Sequence, residues 1–119
     1  MLIFERIITD RGSRYAVSGG PAKTRHDVQA FLKTLTRRQK FARATHHSWA
    51  ARLTDGPAKG DDGEAGAGAV ILQKLEAAEL AGEVVVVTRW YGGKHLGGDR
   101  FRHIAAAVDH YLAHRGGTT

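Results

Sequence analysis

Apolar positions along the chain recur with two different periods, and the switches between them mark out the elements. Leu2 to Thr9 and Arg14 to Ser18 read as short strands joined at Asp10-Arg11-Gly12-Ser13, whose Asp and Gly are turn formers, so the pattern predicts a hairpin. In the second strand Tyr15 and Val17 share one face while Arg14, Ala16 and Ser18 share the other, and Gly19-Gly20-Pro21 is expected to end it. At Thr24 the period changes. Thr24 and Asp27 resemble a capping box, and Val28, Phe31, Leu32 and Leu35 follow at helical spacing, which predicts a helix over roughly 25–37. The cations beyond it, Arg37, Arg38, Lys40 and Arg43, suit either a helix C-terminus or a phosphate backbone.

Alternation returns from Ala44 to Leu53, with His47, Trp49, Ala51 and Leu53 on a core-like face and His46, Ser48, Ala50 and Arg52 on a small, polar one. That asymmetry predicts a sheet covered by helices on one side and open on the other. Thr54 to Gly60 reads as a surface loop around Asp55-Gly56-Pro57. A second helix over roughly 65–79 places Ala67, Ile71, Leu75 and Ala78 in one stripe and ends before Gly82. Glu83 to Trp90 is a strand whose run of valines implies burial on both faces and a central position. A last helix over roughly 99–114 buries Phe101, Ile104, Val108, Tyr111 and Leu112, with Asp99, His103, His110 and His114 on the opposite, solvated side.

This order of elements predicts an α/β (α+β) two-layer sandwich, with a mixed sheet of about four strands and helices on one face. Residues 1–114 are expected to form one domain and Arg115 to Thr119 a frayed tail. Composition narrows the chemistry. The chain has no cysteine, which excludes disulfides, thiolate metal sites and a cysteine nucleophile. Neither a signal peptide nor a membrane span is visible, so a cytoplasmic protein is expected. A formal charge of +6 favours polyanionic partners such as RNA.

Two segments carry candidate chemistry. Asp61, Asp62 and Glu64 open a helix, where carboxylates cap free N–H groups; a magnesium site or a general acid/base pair is the other use of such a cluster. Gly92-Gly93-Lys94-His95-Leu96-Gly97-Gly98 lies between a central strand and a helix N-terminus. Such a place either receives phosphate or makes a tight turn that needs glycine. The segment begins like a Walker loop but has Gly98-Asp99 where Lys-Ser/Thr would stand, which removes that machinery for nucleotide hydrolysis.

Together these segments resemble the IMPACT/YigZ family. The resemblance is carried by Gly12-Ser13-Arg14-Tyr15, by Ala44-Thr45-His46 with Trp49-Ala50 and Arg52, by Asp61-Asp62-Gly63-Glu64, by Val84 to Gly93 ending in Arg89-Trp90-Tyr91-Gly92-Gly93, and by Leu96-Gly97 with Asp99 to Ile104. Ala65-Gly66-Ala67-Gly68 after Glu64 is similar to the shorter eukaryotic version, while His47 stands where asparagine is common. The resemblance implies a fold like the second domain of a small-subunit ribosomal protein, a role in translational regulation in the stress response, and an accompanying domain. It adds no established catalysis.

The leading expectation is a non-enzymatic module that binds RNA or the ribosome through the open sheet face and the glycine loop. Its surface residues would be Arg14, His46, Arg52, Arg89, Gly92, Gly93, Lys94 and Arg100. The alternatives are a metal-dependent phosphohydrolase using Asp61, Asp62 and Glu64 with His46, and a module that sequesters a regulatory protein. No metal or other cofactor is expected, and no membrane.

Overall fold

The computed structural model describes residues 1–116. In chain order the elements are strand β1 (Leu2–Asp10), strand β2 (Ser13–Pro21), helix α1 (Arg25–Thr36), the single turn α2 (Gln39–Ala42), strand β3 (His46–Leu53), strand β4 (Gly56–Gly60), helix α3 (Ala67–Ala77), strand β5 (Glu83–Trp90) and helix α4 (Asp99–His114). The strands form one sheet in the order β1-β2-β5-β3-β4, every neighbour antiparallel. β5 is central, as its unbroken valines imply, and Val84 to Val87 are all buried.

The α+β sandwich is present, with three refinements, the first being that the sheet is antiparallel throughout rather than mixed. The sheet has five strands, because Gly56–Gly60, expected as a loop, is the edge strand β4. Pro57 is tolerated there because an edge strand leaves one row of N–H groups unpaired anyway. Helices also cover both faces. On one face α3 and α4 pack Ala67, Ile71, Leu75, Ile104, Val108 and Tyr111 against Tyr15, Val17, Ala50, Val85 and Val87. On the other, α1 and α2 bring Val28, Phe31, Leu35 and Phe41 to Ala16, Ala51, Val84 and Val86. The expectation of helices on one face and an open polar face is therefore corrected. Ser48 and Ala50 are small because α3 comes close to the sheet there, and both are buried. Gly68 belongs to the same approach: a Cβ on it would lie 3.1 Å from Lys59 Cβ and 3.2 Å from the Gly60 amide nitrogen.

β2 continues through Gly19-Gly20-Pro21, expected as its end, and pairs there with Val85, Val84 and Glu83. The two glycines are contacted from opposite sides. A Cβ on Gly19 would fall 2.4 Å from the Tyr111 ring of α4, and one on Gly20 would fall 3.2 Å from the Phe31 ring of α1.

The local signal holds at the start of α1, whereas the N-cap residues of α2, α3 and α4 make no side-chain cap. Thr24 Oγ1 accepts from the Asp27 N–H at 3.1 Å while Asp27 accepts from the Thr24 N–H at 3.2 Å, so α1 has the capping box its sequence predicts. In the hairpin turn Arg11 and Gly12 have φ of 46° and 84°, the positive values a two-residue type I′ turn requires at both positions.

Three smaller expectations change. Ala78 is exposed past the end of α3. His103 is not on a solvated flank: its Nε2 lies 2.8 Å from Asp10 Oδ2 and its ring packs 5.4 Å from Tyr15, because the hairpin turn folds over that side of α4. His110 stacks on His114 at 4.2 Å, with Phe4 edge-on to His110. Arg115, expected in the frayed tail, donates to Glu83 Oε1 at 3.2 Å; the rest of that tail, 117–119, lies outside the described residues. Among the described residues no helix is long and apolar enough to cross a membrane.

Gly19 gives a direct check on this packing. Gly19→Ala is expected to lower stability by about 1–3 kcal/mol, the range for overpacking a filled core. In a cycle with Tyr111→Leu, the alanine should cost clearly less once the ring is gone, a coupling that denaturant unfolding of the four proteins measures.

Candidate functional site

Three chain segments end together at one end of the sheet: the C-terminus of β5, the N-terminus of β3, and the loop that enters α4. Between them lies a cleft of about 530 Å³ whose walls include Thr45, His46, Tyr91, His95, Leu96 and Arg100 and whose floor is Glu64 and Arg89. A hollow of similar size, about 550 Å³, lies on the other face between α1 and β3, with Leu32, Lys33, His47 and Trp49 in its wall. Only the first gathers the residues of both glycine-bearing segments.

The floor is a buried ion pair. Arg89 alternates onto the α3/α4 face of β5 and is 5% exposed; Glu64 is 3% exposed. Arg89 Nη1 donates to both Glu64 oxygens, at 2.9 and 3.2 Å, and Nη2 donates to Ser13 Oγ at 3.3 Å. Its guanidinium carbon lies 5.7 Å from the centre of the Tyr15 ring on one side and 5.7 Å from that of Tyr91 on the other. Planar, weakly hydrated guanidinium suits such a stacked, buried place in a way that lysine would not. Ser13 also accepts from the Gly92 N–H at 3.1 Å, which ties the hairpin turn to the end of β5. Arg89 Nε and Tyr15 Oη are buried beside this pair with no hydrogen-bond partner among the described residues. Burial, opposed by the Arg89 charge and aided by that of Glu64, pushes the Tyr15 phenol up to about 12, so it stays neutral.

Above the floor the cleft is cationic and aromatic. Arg100 Nη1 is 3.6 Å from Glu64 Oε2, its guanidinium lies 4.6 Å from the Phe101 ring centre, and its side chain is 32% exposed. One carboxylate thus faces two guanidinium groups. Tyr91 is 44% exposed, with His95 at 5.8 Å between ring centres. His46 Nδ1 is 2.8 Å from the Asp62 carbonyl, which can only accept, so Nδ1 carries a proton and Nε2 is the ring atom left for the cleft.

The acidic segment does not form a cluster. Asp61 accepts from the Gly66 and Gly68 N–H groups at 3.0 and 2.8 Å, capping α3. Asp62, in a left-handed conformation at φ 49°, accepts from the His47 N–H at 2.7 Å. Glu64 turns inward to Arg89. The three carboxylates serve three different partners, so the acid/base or metal cluster among the alternatives lacks its geometry, while capping accounts for Asp61.

The expected RNA-binding set is redistributed as well. His46, Arg89 and Arg100 meet at the cleft, but Arg89 is internal rather than a surface cation. Arg14 lies on the opposite face of the sheet, its guanidinium 5.8 Å from the Trp90 ring. It pairs with Trp90 in register, whereas His46 pairs with Arg89, and successive residues of β5 point to opposite faces. Arg52 is at the far end of β3, beside Lys23 and Gly82. Lys94 and Gly93 are exposed on the loop, outside the cleft wall. Gly92 is required for packing: a Cβ there would lie 2.0 Å from the Gly12 carbonyl carbon. The first N–H groups of α4 are already bonded, Asp99 to the Leu96 carbonyl and Phe101 to that of Gly98. Tyr91, His95 and Thr45 were not foreseen as site residues, although Tyr91 stands inside the same Arg-Trp-Tyr-Gly-Gly segment.

The Impact N-terminal domain family matches residues 11–112. The chain is 38% identical over 106 residues to the protein IMPACT homolog of Caenorhabditis elegans, covering 82% of this chain and 41% of that protein. It is 37% identical over 103 residues to the IMPACT homolog of Saccharomyces cerevisiae, covering 82% and 40%. It thus spans about two fifths of these relatives' length. A crystal structure of a hypothetical protein superposes with a TM-score of 0.81 at 23% identity, over 94% of this chain and 57% of that one, and shows the fold alone. The two-domain translational regulator Yih1 superposes with a TM-score of 0.54 at 30% identity, over 89% and 43%.

Two outcomes follow from this geometry. Glu64→Gln leaves the buried Arg89 charge unpaired and is expected to cost about 3–5 kcal/mol, while Arg89→Met leaves Glu64 the longer Arg100 contact and should cost less, and Glu64→Leu with Arg89→Met should recover much of the loss; denaturant unfolding reads all three. The Asp61 carboxyl is held below its ordinary range, first by the Gly66 N–H and then by that of Gly68, against a smaller opposing effect of burial. Its stabilisation is present above the unfolded value, about 3.9, and is lost as pH falls through the folded value. The stability gap between the wild type and Asp61→Asn should therefore close on acidification, as thermal unfolding across acid pH would record.

Proposed function

The chain belongs to the Impact N-terminal domain family, and on that premise we propose that it is a translation-regulation module whose cleft receives single-stranded RNA, free or within the ribosome. The observation that carries this reading is the pairing of an exposed aromatic ring, Tyr91, with a second guanidinium, Arg100, over a floor whose one carboxylate already serves Arg89. Each base offers a π-face to an exposed ring, and each phosphodiester offers one negative charge to a cation beside it. The excess of one positive charge at the floor matches that requirement. Similarity to a protein described as a translational regulator supports the cellular role. The separate engagement of Asp61, Asp62 and Glu64 supports recognition over metal-assisted hydrolysis.

Fluorescence anisotropy with a short single-stranded RNA tests it. Tyr91→Ala is expected to weaken binding by about 1–3 kcal/mol, the value of one base stack. Arg100→Gln should make the dependence of log K on log salt shallower by roughly 0.7, one lost phosphate contact on a single strand. Both variants keep the buried floor pair, so their melting temperatures should stay close to that of the wild type. Unchanged affinity and slope in both would remove the RNA reading of the cleft and favour a protein partner.

A further inference from the structure

Behind the cleft, on the face of the sheet that carries α1 and α2, the chain gathers a second group of cations that no family segment contains apart from Arg14. Arg37 caps α1, Arg38 and Arg43 bracket the single turn of α2, and Lys40 lies within it. Lys40 is positioned by three contacts. Its carbonyl accepts from Trp90 Nε1 at 3.0 Å, its ammonium lies 5.7 Å from the Trp90 ring centre, and that ammonium also meets Glu5 of β1. Arg14 reaches the same Trp90 ring at 5.8 Å. The α2 turn, the end of β5 and the middle of β1 are thereby drawn into one surface. The Glu5 carboxyl is held below its ordinary range by Lys40 first, with smaller contributions from the Arg6 and Arg38 charges.

The charge on this surface is uncompensated. Glu5 is taken by Lys40, while Arg6, Arg37, Arg38 and Arg43 are exposed and form no ion pair among the described residues. Elsewhere Arg11, Lys74, Arg102 and Arg115 have carboxylate partners, while Lys23, Arg25, Lys33, Lys59 and Lys94 are exposed and form no ion pair among the described residues, so what marks this surface is the close sequence spacing of Arg37, Arg38 and Arg43 about one turn. Arg6 adds an independent sign. It sits at φ 53°, an unusual conformation for an arginine, inside an irregularity of β1 between Phe4 and Ile8, where the strand leaves its regular pairing. A bulge re-aims the side chain it carries, and at an edge it also deters strand addition.

We propose that Arg6, Arg37, Arg38 and Arg43, which flank in sequence the Glu5–Lys40–Trp90 contact, form a phosphate-backbone track for RNA, separate from the cleft and on the side of the sheet that carries α1 and α2. The two sites adjoin at the sheet end, where Trp90 turns to the track and Tyr91 to the cleft, and Arg43 stands two residues before Thr45 of the cleft wall. A single strand seated with a base on Tyr91 can pass over that end and lay its phosphates along α2. Without aromatic exposure of its own, since Trp90 is partly buried, the track contributes affinity and salt dependence but no base discrimination. The inference rests on the RNA reading of the cleft for the identity of the partner, and on the cation geometry for its location.

The test is a triple variant, Arg37→Gln with Arg38→Gln and Arg43→Gln, which leaves Lys40, Glu5 and the Trp90 contacts in place. It is measured beside Arg100→Gln against one single-stranded RNA over a salt series, with melting temperatures for all. The triple variant is expected to lose about tenfold or more at low salt and to flatten the log–log slope by roughly 2, for three lost contacts, across RNA sequences alike. An unchanged slope in the folded triple variant overturns the track, and loss confined to Arg100→Gln does so while leaving the cleft reading intact. Loss confined to the triple variant supports the track and removes the cleft. Retained RNA binding with lost binding of poly-glutamate overturns the track in favour of an acidic protein partner.

Discussion

The Glu64–Arg89 pair is the interaction on which the rest of this end of the molecule depends. Two charges removed from water are tolerated only when each is matched and its remaining polar atoms are largely met. Here the matching draws on four parts of the chain: the segment before α3 supplies the carboxylate, β5 the guanidinium, the first residue of β2 the Ser13 hydroxyl, and α4 the second guanidinium of Arg100. Displacing Glu64, Arg89 or Ser13 uncovers the others, while Arg100 completes the arrangement from the solvent side. The cleft is the outer surface of that arrangement, and its shape is set from beneath.

This inverts the usual relation between a motif and a surface. The arginine inside the most distinctive segment, Arg89, points inward and holds the site together, while arginines outside any motif, such as Arg38 and Arg43, are left free at the surface. Glycine follows the same rule. Gly92 is needed because the Gly12 backbone passes against it, and Gly63 and Gly66 take φ of 84° and 87° where the chain doubles back toward His46 and Phe101. Such segments are rich in glycine and charge because several backbones meet there at short range.

How much of this was legible in the sequence varies with the kind of signal. The bounds of β5 and α4 and the capping box of α1 are local, and they are present as the periodicity and the cap chemistry indicate. Strand alternation correctly separates Tyr15 from Arg14 and Trp49 from Ser48, yet it cannot say which face of one strand lies beside which face of the next. For that reason Arg14 and His46, grouped by polarity, are on opposite sides of the sheet. Ser48 and Ala50 read as solvent-facing because they are small and polar, although small side chains equally leave room for a helix; the nearby glycine of α3, Gly68, was the available sign. β4 was hidden by Gly56 and Pro57, since turn formers and edge strands share those residues. The ion pair spans the whole of α3 and could not be derived from spacing, because nothing in a run of carboxylates tells which one folds inward.

The consecutive glycines of β2 have a consequence for the order of events in folding. Gly19 and Gly20 lack side chains that would favour an extended chain on their own, and in the native state Tyr111 and Phe31 close on them from the two faces. That end of the strand gains its reason to be ordered only when α4, from the last part of the chain, and α1 have both arrived. Contacts of such long sequence separation form late, after their loop-closure entropy has been met. The Tyr111 contact at Gly19, which joins the two ends of the chain, thus belongs to the descent from the transition state, and its strength sets how long the native molecule persists more than how quickly it is reached.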